Sequence, residues 1–97
     1  TFSPKVSIVM PTYCRNAEGL LKGCIESVVN QTFKDFEFII IDDGSSDGSQ
    51  QLIESYAMID PRIVYVRHDV NSGFPAVRTN EGIMLARAPL IAFIFDS

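Results

Sequence analysis

Phe36-Glu37-Phe38-Ile39-Ile40-Ile41-Asp42-Asp43-Gly44-Ser45-Ser46-Asp47-Gly48 is the stretch whose reading decides the fold. Its first part, residues 36–41, is an apolar run bounded by turn formers, the pattern of a strand buried on both faces. The Asp, Gly and Ser cluster that follows predicts a turn. Asp47, with Gln50 three residues on, predicts a capping box at the start of a helix. That helix runs to about Met58, turns Leu52, Ile53, Tyr56 and Ala57 inward, and stops at Asp60-Pro61.

The same alternation extends in both directions. Residues 6–10 (VSIVM) predict a strand closed by Pro11. Over residues 17–30 the apolar pairs Leu20/Leu21, Cys24/Ile25 and Val28/Val29 recur at helical spacing. Asn16 stands as N-cap of that helix and Glu18/Lys22 as an i, i+4 pair on its outer face. Residues 63–66 predict a third strand and residues 68–74 a polar loop that contains His68. Pro75 opens a third helix, with Val77, Ile83, Met84 and Ala86 on its apolar side, and residues 90–95 (LIAFIF) predict a fourth strand. The order β-α-β-α-β-α-β predicts a three-layer α/β/α architecture around a parallel sheet. The fourth strand is expected beside the first, with its other side unpaired, which invites edge-to-edge self-association.

Composition narrows the function. The chain has 97 residues, 46% of them hydrophobic and 21% charged, ordinary values for one globular unit. Eight basic against 12 acidic residues give a net charge of −4, which argues against a nucleic-acid binder held by a basic surface. No apolar run approaches the roughly 18 residues of a membrane span. Cys14 and Cys24 form no metal-binding or redox motif, and they read as reduced thiols of a cytoplasmic protein. A single histidine excludes a His-rich zinc site.

In a parallel α/β sheet, ligands bind beyond the carboxyl ends of the strands, where the strand order reverses. The residues expected there are Pro11, Thr12, Tyr13, Cys14 and Arg15, then Asp42, Asp43 and Gly44, then Arg67, His68 and Asp69, and last Asp96. Carboxylates converging on one edge repel one another unless a cation or donors intervene. A divalent metal with oxygen ligands could satisfy them and hold a diphosphate. Tyr13 could stack on a nucleobase, and Arg15 and Arg78 could fork onto phosphate oxygens. Each feature alone is more often a turn, a packing ring or a solvated charge. A nucleotide-binding fingerprint of the G-x-G-x-x-G or P-loop type is absent.

Taken in order, the motifs resemble the family 2 glycosyltransferases. They are VSIVMPTYCR (6–15), CIESVVNQTF (24–33), DFEFIIIDDGSSDG (35–48), NSG (71–73), AVRTNEG (76–82) and IAFIFDS (91–97). The resemblance implies the nucleotide-binding half of a GT-A fold. It also implies sugar transfer, inverting in stereochemistry, from a nucleotide-sugar donor, commonly a UDP-sugar, to a hydroxyl acceptor such as a cell-surface glycan. By resemblance, Pro11, Thr12 and Tyr13 line the base pocket, with Tyr13 stacked on the base. Asp43 accepts a hydrogen bond from the base, with Asp42 beside it, and Arg78 lies near the phosphates. Asp96 opens a D-x-D motif that binds the ribose and a Mg²⁺ or Mn²⁺ ion. Cys14 stands where the family usually has Asn. The chain ends one residue before the second acid of D-x-D, so residues 1–97 read as a truncated N-terminal part, with the catalytic base expected beyond Ser97 and no activity of their own. A receiver-like regulatory module shares the βα units and the acid pair and is the alternative. Receivers, however, carry that pair after the first strand, where Pro11-Thr12 stands here.

Overall fold

A computed structural model describes residues 4–12, 20–30, 35–44, 48–70 and 75–94. The elements are β1 (Val6–Thr12), α1 (Leu20–Val29), β2 (Phe36–Asp43), α2 (Ser49–Ile59), β3 (Ile63–His68), α3 (Pro75–Leu85) and β4 (Leu90–Phe93). The strands form one parallel sheet in the order β3-β2-β1-β4. The α/β/α reading therefore holds, and β4 lies beside β1 as expected.

Alternation along the strands sorts the core into two faces. Ile8, Met10, Phe36, Phe38 and Ile40 point to one face, where they meet Leu21, Ile25 and Val28 of α1 and Ile53 of α2. Burying each such side chain contributes about 1.5–3 kcal/mol. Tyr56 of α2 donates to Glu26 of α1 at 2.8 Å, which ties the two helices of this layer together. Val9, Ile39 and Ile41 point to the other face, which α3 covers, with Ala86 just beyond its end packed against them. At the amino end of the sheet, Arg62 stacks over Phe36 at 4.3 Å and pairs with Asp60 at 2.6 Å.

The elements depart from the sequence reading in instructive ways. β1 continues through Pro11 to Thr12. The Val9 carbonyl accepts from Ile94 N–H, so backbone groups of alternate residues, Pro11 included, face the β4 side. β4 ends at Phe93, paired with Val9, so the missing proline N–H interrupts no ladder there. α2 has Gly48 at its N-cap, with no side-chain hydrogen bond, in place of the Asp47 capping box; Asp47 itself lies outside the described residues. β3 runs two residues further than expected, which moves His68 from a loop to the last position of a strand.

α3 differs most. Val77, Ile83 and Met84 were expected to face the core, but they are 47%, 38% and 86% exposed. The helix instead meets the sheet through Gly82. A Cβ added there would lie 2.3 Å from Val9 Cγ1, so only glycine permits this close approach. Asn16 and Glu18 lie outside the described residues. Cys24 is half-buried. None of the described helices is long and apolar enough to cross a membrane.

Candidate functional site

β2 and β3 are laid down successively to one side of β1, and the chain then crosses back to place β4 on the other. The strand order thus reverses between β1 and β4, and the crevice of such a sheet opens at their carboxyl ends. Register brings Pro11 beside Ile41 and Thr12 beside Asp42. It also aligns Asp42 with Arg67 and Asp43 with His68. Three polar residues, Thr12, Asp42 and Asp43, are buried here. Gly44 leaves the strand at φ 82°, a left-handed conformation that glycine adopts without strain.

Successive residues of a strand point to opposite faces, and the two aspartates separate accordingly. Asp42 turns toward the α1/α2 layer, where Tyr65 Oη donates to its Oδ2 at 2.8 Å. Burial and this hydrogen bond push the Tyr65 hydroxyl well above its ordinary pKa, so it remains a donor throughout the neutral range. Asp43 turns toward α3, where Arg78 Nε donates to its Oδ1 at 2.7 Å. The side chains of Arg78 and Asp43 are 14% and 9% exposed, and charge-assisted bonds shielded in this way are the strong kind. Arg78 also reaches the Val70 carbonyl at 3.4 Å. Glu81 lies 3.8 Å from its Nη1 and 2.7 Å from His68 Nε2.

Of the acids expected to converge on this edge, Asp96 lies outside the described residues and the others are met by protein donors. Asp42 and Asp43 each have a protein donor, and Asp69 is 92% exposed and paired with Arg67. No group of three or more His, Cys, Asp or Glu side chains that could hold a metal ion occurs among the described residues. These residues do not by themselves make a metal centre. Of the expected site residues, the structure brings together Pro11, Thr12, Asp42, Asp43 and Arg78; Tyr13, Cys14, Arg15 and Asp96 lie outside the described residues. The sequence reading missed Tyr65 and Glu81. Tyr65 could have been found by alternation, since it lies two residues from buried Ile63 on the same face. Glu81 carries a weaker signal, one turn of α3 beyond Arg78.

A second polar cluster lies further down the α3 face. Glu37, 1% exposed, accepts from Ser7 Oγ and from Arg87 through its backbone N–H at 2.7 Å and its Nε at 2.9 Å. Ala88 N–H donates to Ser7 Oγ at 3.1 Å. Burial pushes the Glu37 carboxyl up, but the hydrogen bonds from Ser7 and Arg87 outweigh it and hold the pKa below its ordinary value.

Comparison with known proteins bears on what this edge does. The sequence model of the family described as Glycosyl transferase family 2 matches residues 7–96. A poly(ribitol-phosphate) beta-glucosyltransferase of Bacillus spizizenii is 38% identical over 92 residues, covering 93% of this chain and 14% of that protein. The crystal structure of S. aureus TarS 1-349 in complex with UDP-GlcNAc superposes with a TM-score of 0.84 at 28% identity, covering 95% of this chain and 26% of that one. Mannosyltransferase PcManGT from Pyrobaculum calidifontis, in complex with GDP-Man and Mn²⁺, gives a TM-score of 0.82 at 21% identity, covering 99% and 28%, a likeness of fold alone. The chain spans 12% to 36% of the length of the curated relatives it matches.

Proposed function

The chain belongs to glycosyl transferase family 2 and has the α/β architecture of the GT-A fold, and on that premise we propose that it is the donor-nucleotide half of an inverting glycosyltransferase. The reading takes residues 1–97 as the N-terminal part of the catalytic domain. The donor is a nucleoside diphosphate sugar, a UDP-sugar by preference, and the acceptor a hydroxyl of a cell-surface glycan. The observation that carries it is the shielded Asp43–Arg78 pair at the carboxyl edge, beside the point where strand order reverses. It offers one carboxylate acceptor and one guanidinium donor, which suit a base N–H and phosphate oxygens respectively.

In this reading Pro11, Thr12 and Tyr13 line the base pocket, and Tyr13 stacks on the base. Asp43 accepts from the base, Asp42 is its chain neighbour and is held by Tyr65 on the opposite face of the sheet, and Arg78 and Arg15 serve the phosphates. Asp96 supplies the first carboxylate for a Mg²⁺ or Mn²⁺ ion that travels with the diphosphate. That ion would stabilise the departing diphosphate charge. Inversion requires a base to take the acceptor proton as the anomeric carbon is attacked; no residue of this chain is assigned that role. The reaction is assigned to the cytoplasmic side, and the exposed edge of β4 makes self-association through the sheet part of the reading.

Calorimetry of UDP with Mn²⁺ on the full-length protein tests the assignment. Asp43→Ala is expected to weaken binding by about tenfold or more, equivalent to about 1.4 kcal/mol. The isosteric Asp43→Asn should show a loss in the same direction. Absence of UDP binding by the unaltered protein, or unchanged affinity in both variants, would overturn it. The 97-residue chain alone is expected to transfer no sugar, and measurable transfer would refute that part.

A further inference from the structure

Arg78 lies between two carboxylates that hold it unequally. Asp43 Oδ1 is 2.7 Å from its Nε, a close and shielded contact. Glu81 Oε1 is 3.8 Å from its Nη1, and the Glu81 side chain is 31% exposed, so this second pairing contributes little. Glu81 sits one turn along α3 from Arg78, a spacing at which carboxylate and guanidinium readily close on each other. Its Oε1 is instead engaged at 2.7 Å by Nε2 of His68. Facing a carboxylate, that nitrogen carries the proton and donates. His68 ends β3 in register with Asp43 on β2. Asp43, Arg78, Glu81 and His68 thus form a ring that joins β2, α3 and β3 at the carboxyl edge.

From this geometry we infer that His68 and Glu81 are positioning residues for the nucleotide site: His68 restrains Glu81 from capturing Arg78, and thereby leaves the guanidinium to Asp43 and the donor. The inference rests on the proposed role of Asp43 and Arg78 in donor binding. Without the His68 hydrogen bond, the Glu81 carboxylate is free to close on Arg78. It would then compete with Asp43 and with phosphate oxygens for the same N–H groups. Removing the charge of Glu81 abolishes that competition whether or not His68 is present.

Suppression is the signature, because a purely structural role of His68 would not be repaired by a second substitution. UDP affinity in the presence of Mn²⁺ is measured on the full-length protein and its variants. His68→Ala is expected to weaken binding by roughly three- to tenfold, the scale of coupling between neighbouring groups. His68→Gln, whose amide can still donate to Glu81, should retain the original affinity. Glu81→Gln should bind at least as tightly as the unaltered protein, and the H68A/E81Q double variant should return to within about twofold of it. Unchanged affinity in H68A, or a double variant no better than H68A, overturns the inference. If H68A does not fold, as judged by its thermal melt, E81Q alone decides, and a loss of affinity in it overturns the inference. Failure of the unaltered protein to bind UDP strikes the donor-site reading instead, so the two failures are separable.

Discussion

Glu37 shows how a charged residue can sit inside a strand that otherwise reads as apolar. Its carboxylate is buried near the amino end of β2 and remains ionised because Ser7 and two groups of Arg87 donate to it. Removing it leaves the Arg87 N–H and the Ser7 hydroxyl without their acceptor, at about 1–3 kcal/mol for a buried group so stranded. Glu37→Ala is therefore expected to lower the free energy of unfolding by that order, and urea melts measure it. The lowered folded-state pKa also fixes the sign of a pH effect. Stability from Glu37 is fully present above the ordinary value of 4.5 and is lost as pH falls through the folded value. Urea melts at falling pH should show this acid-dependent loss in the unaltered protein and a smaller one in Glu37→Gln. Equal slopes in the two would refute it. Nothing near Glu37 in sequence announces this role, because Arg87 lies 50 residues away. The aspartates that end β2 were legible, since Asp-Asp-Gly after an apolar run marks a strand end. Their separation toward Tyr65 and Arg78 depends on partners from β3 and α3.

At the scale of elements, α3 is the informative case. Gly82 is usually a weak point of a helix, and replacing it with alanine gains about 1 kcal/mol in helix propensity. Here the added methyl would meet Val9, a short β-branched side chain that is fully buried and cannot swing aside. Overpacking of this kind costs about 1–3 kcal/mol, so the clash prevails over the propensity gain. Gly82→Ala is expected to destabilise the protein, and the same substitution in a Val9→Ala background to be neutral or stabilising. Denaturant melts of the four proteins check this, and destabilisation of equal size in both backgrounds would refute it. The helix was placed correctly from its sequence but turned wrongly. Hydropathy weighs Val77, Ile83 and Met84 and gives no weight to a glycine that lets two backbones approach. The strands were easier to place, because β-branched and aromatic runs between turn residues leave few alternatives. The expected ends of β1, β2 and β3 were each short by two residues, since Pro11-Thr12, Asp42-Asp43 and Arg67-His68 are polar or non-donating and pair only through the sheet, whereas β4 stops at Phe93, before the expected end of the apolar run.

At the scale of the whole molecule, the radius of gyration is 12.4 Å, close to the roughly 12.5 Å expected of a self-contained domain of this length. The chain is thus as compact as a complete unit while spanning only part of the length of its relatives. Its cohesion is uneven. β1 and β2, with the inward residues of α1 and α2, form the buried core, whereas all four residues of β4 are exposed at the sheet edge. Hydrogen exchange is expected to follow this gradient, with β4 amides exchanging well before those of β2; equal protection in the two strands would contradict it. The same feature bears on how the chain is made. Val6 pairs with Phe36, 30 residues on, but with Leu90, 84 residues on. The longer closure costs about 0.9 kcal/mol more in chain entropy. Synthesis proceeds from the amino end, so β1, β2 and β3 can assemble while the later residues are still within the ribosome. Until Arg87 emerges, Glu37 has Ser7 but lacks both of its Arg87 donors. Co-translational folding of this sheet thus favours an order in which β1, β2 and β3 can pair first, and Glu37 is covered and gains its Arg87 donors only when the segment between α3 and β4 arrives.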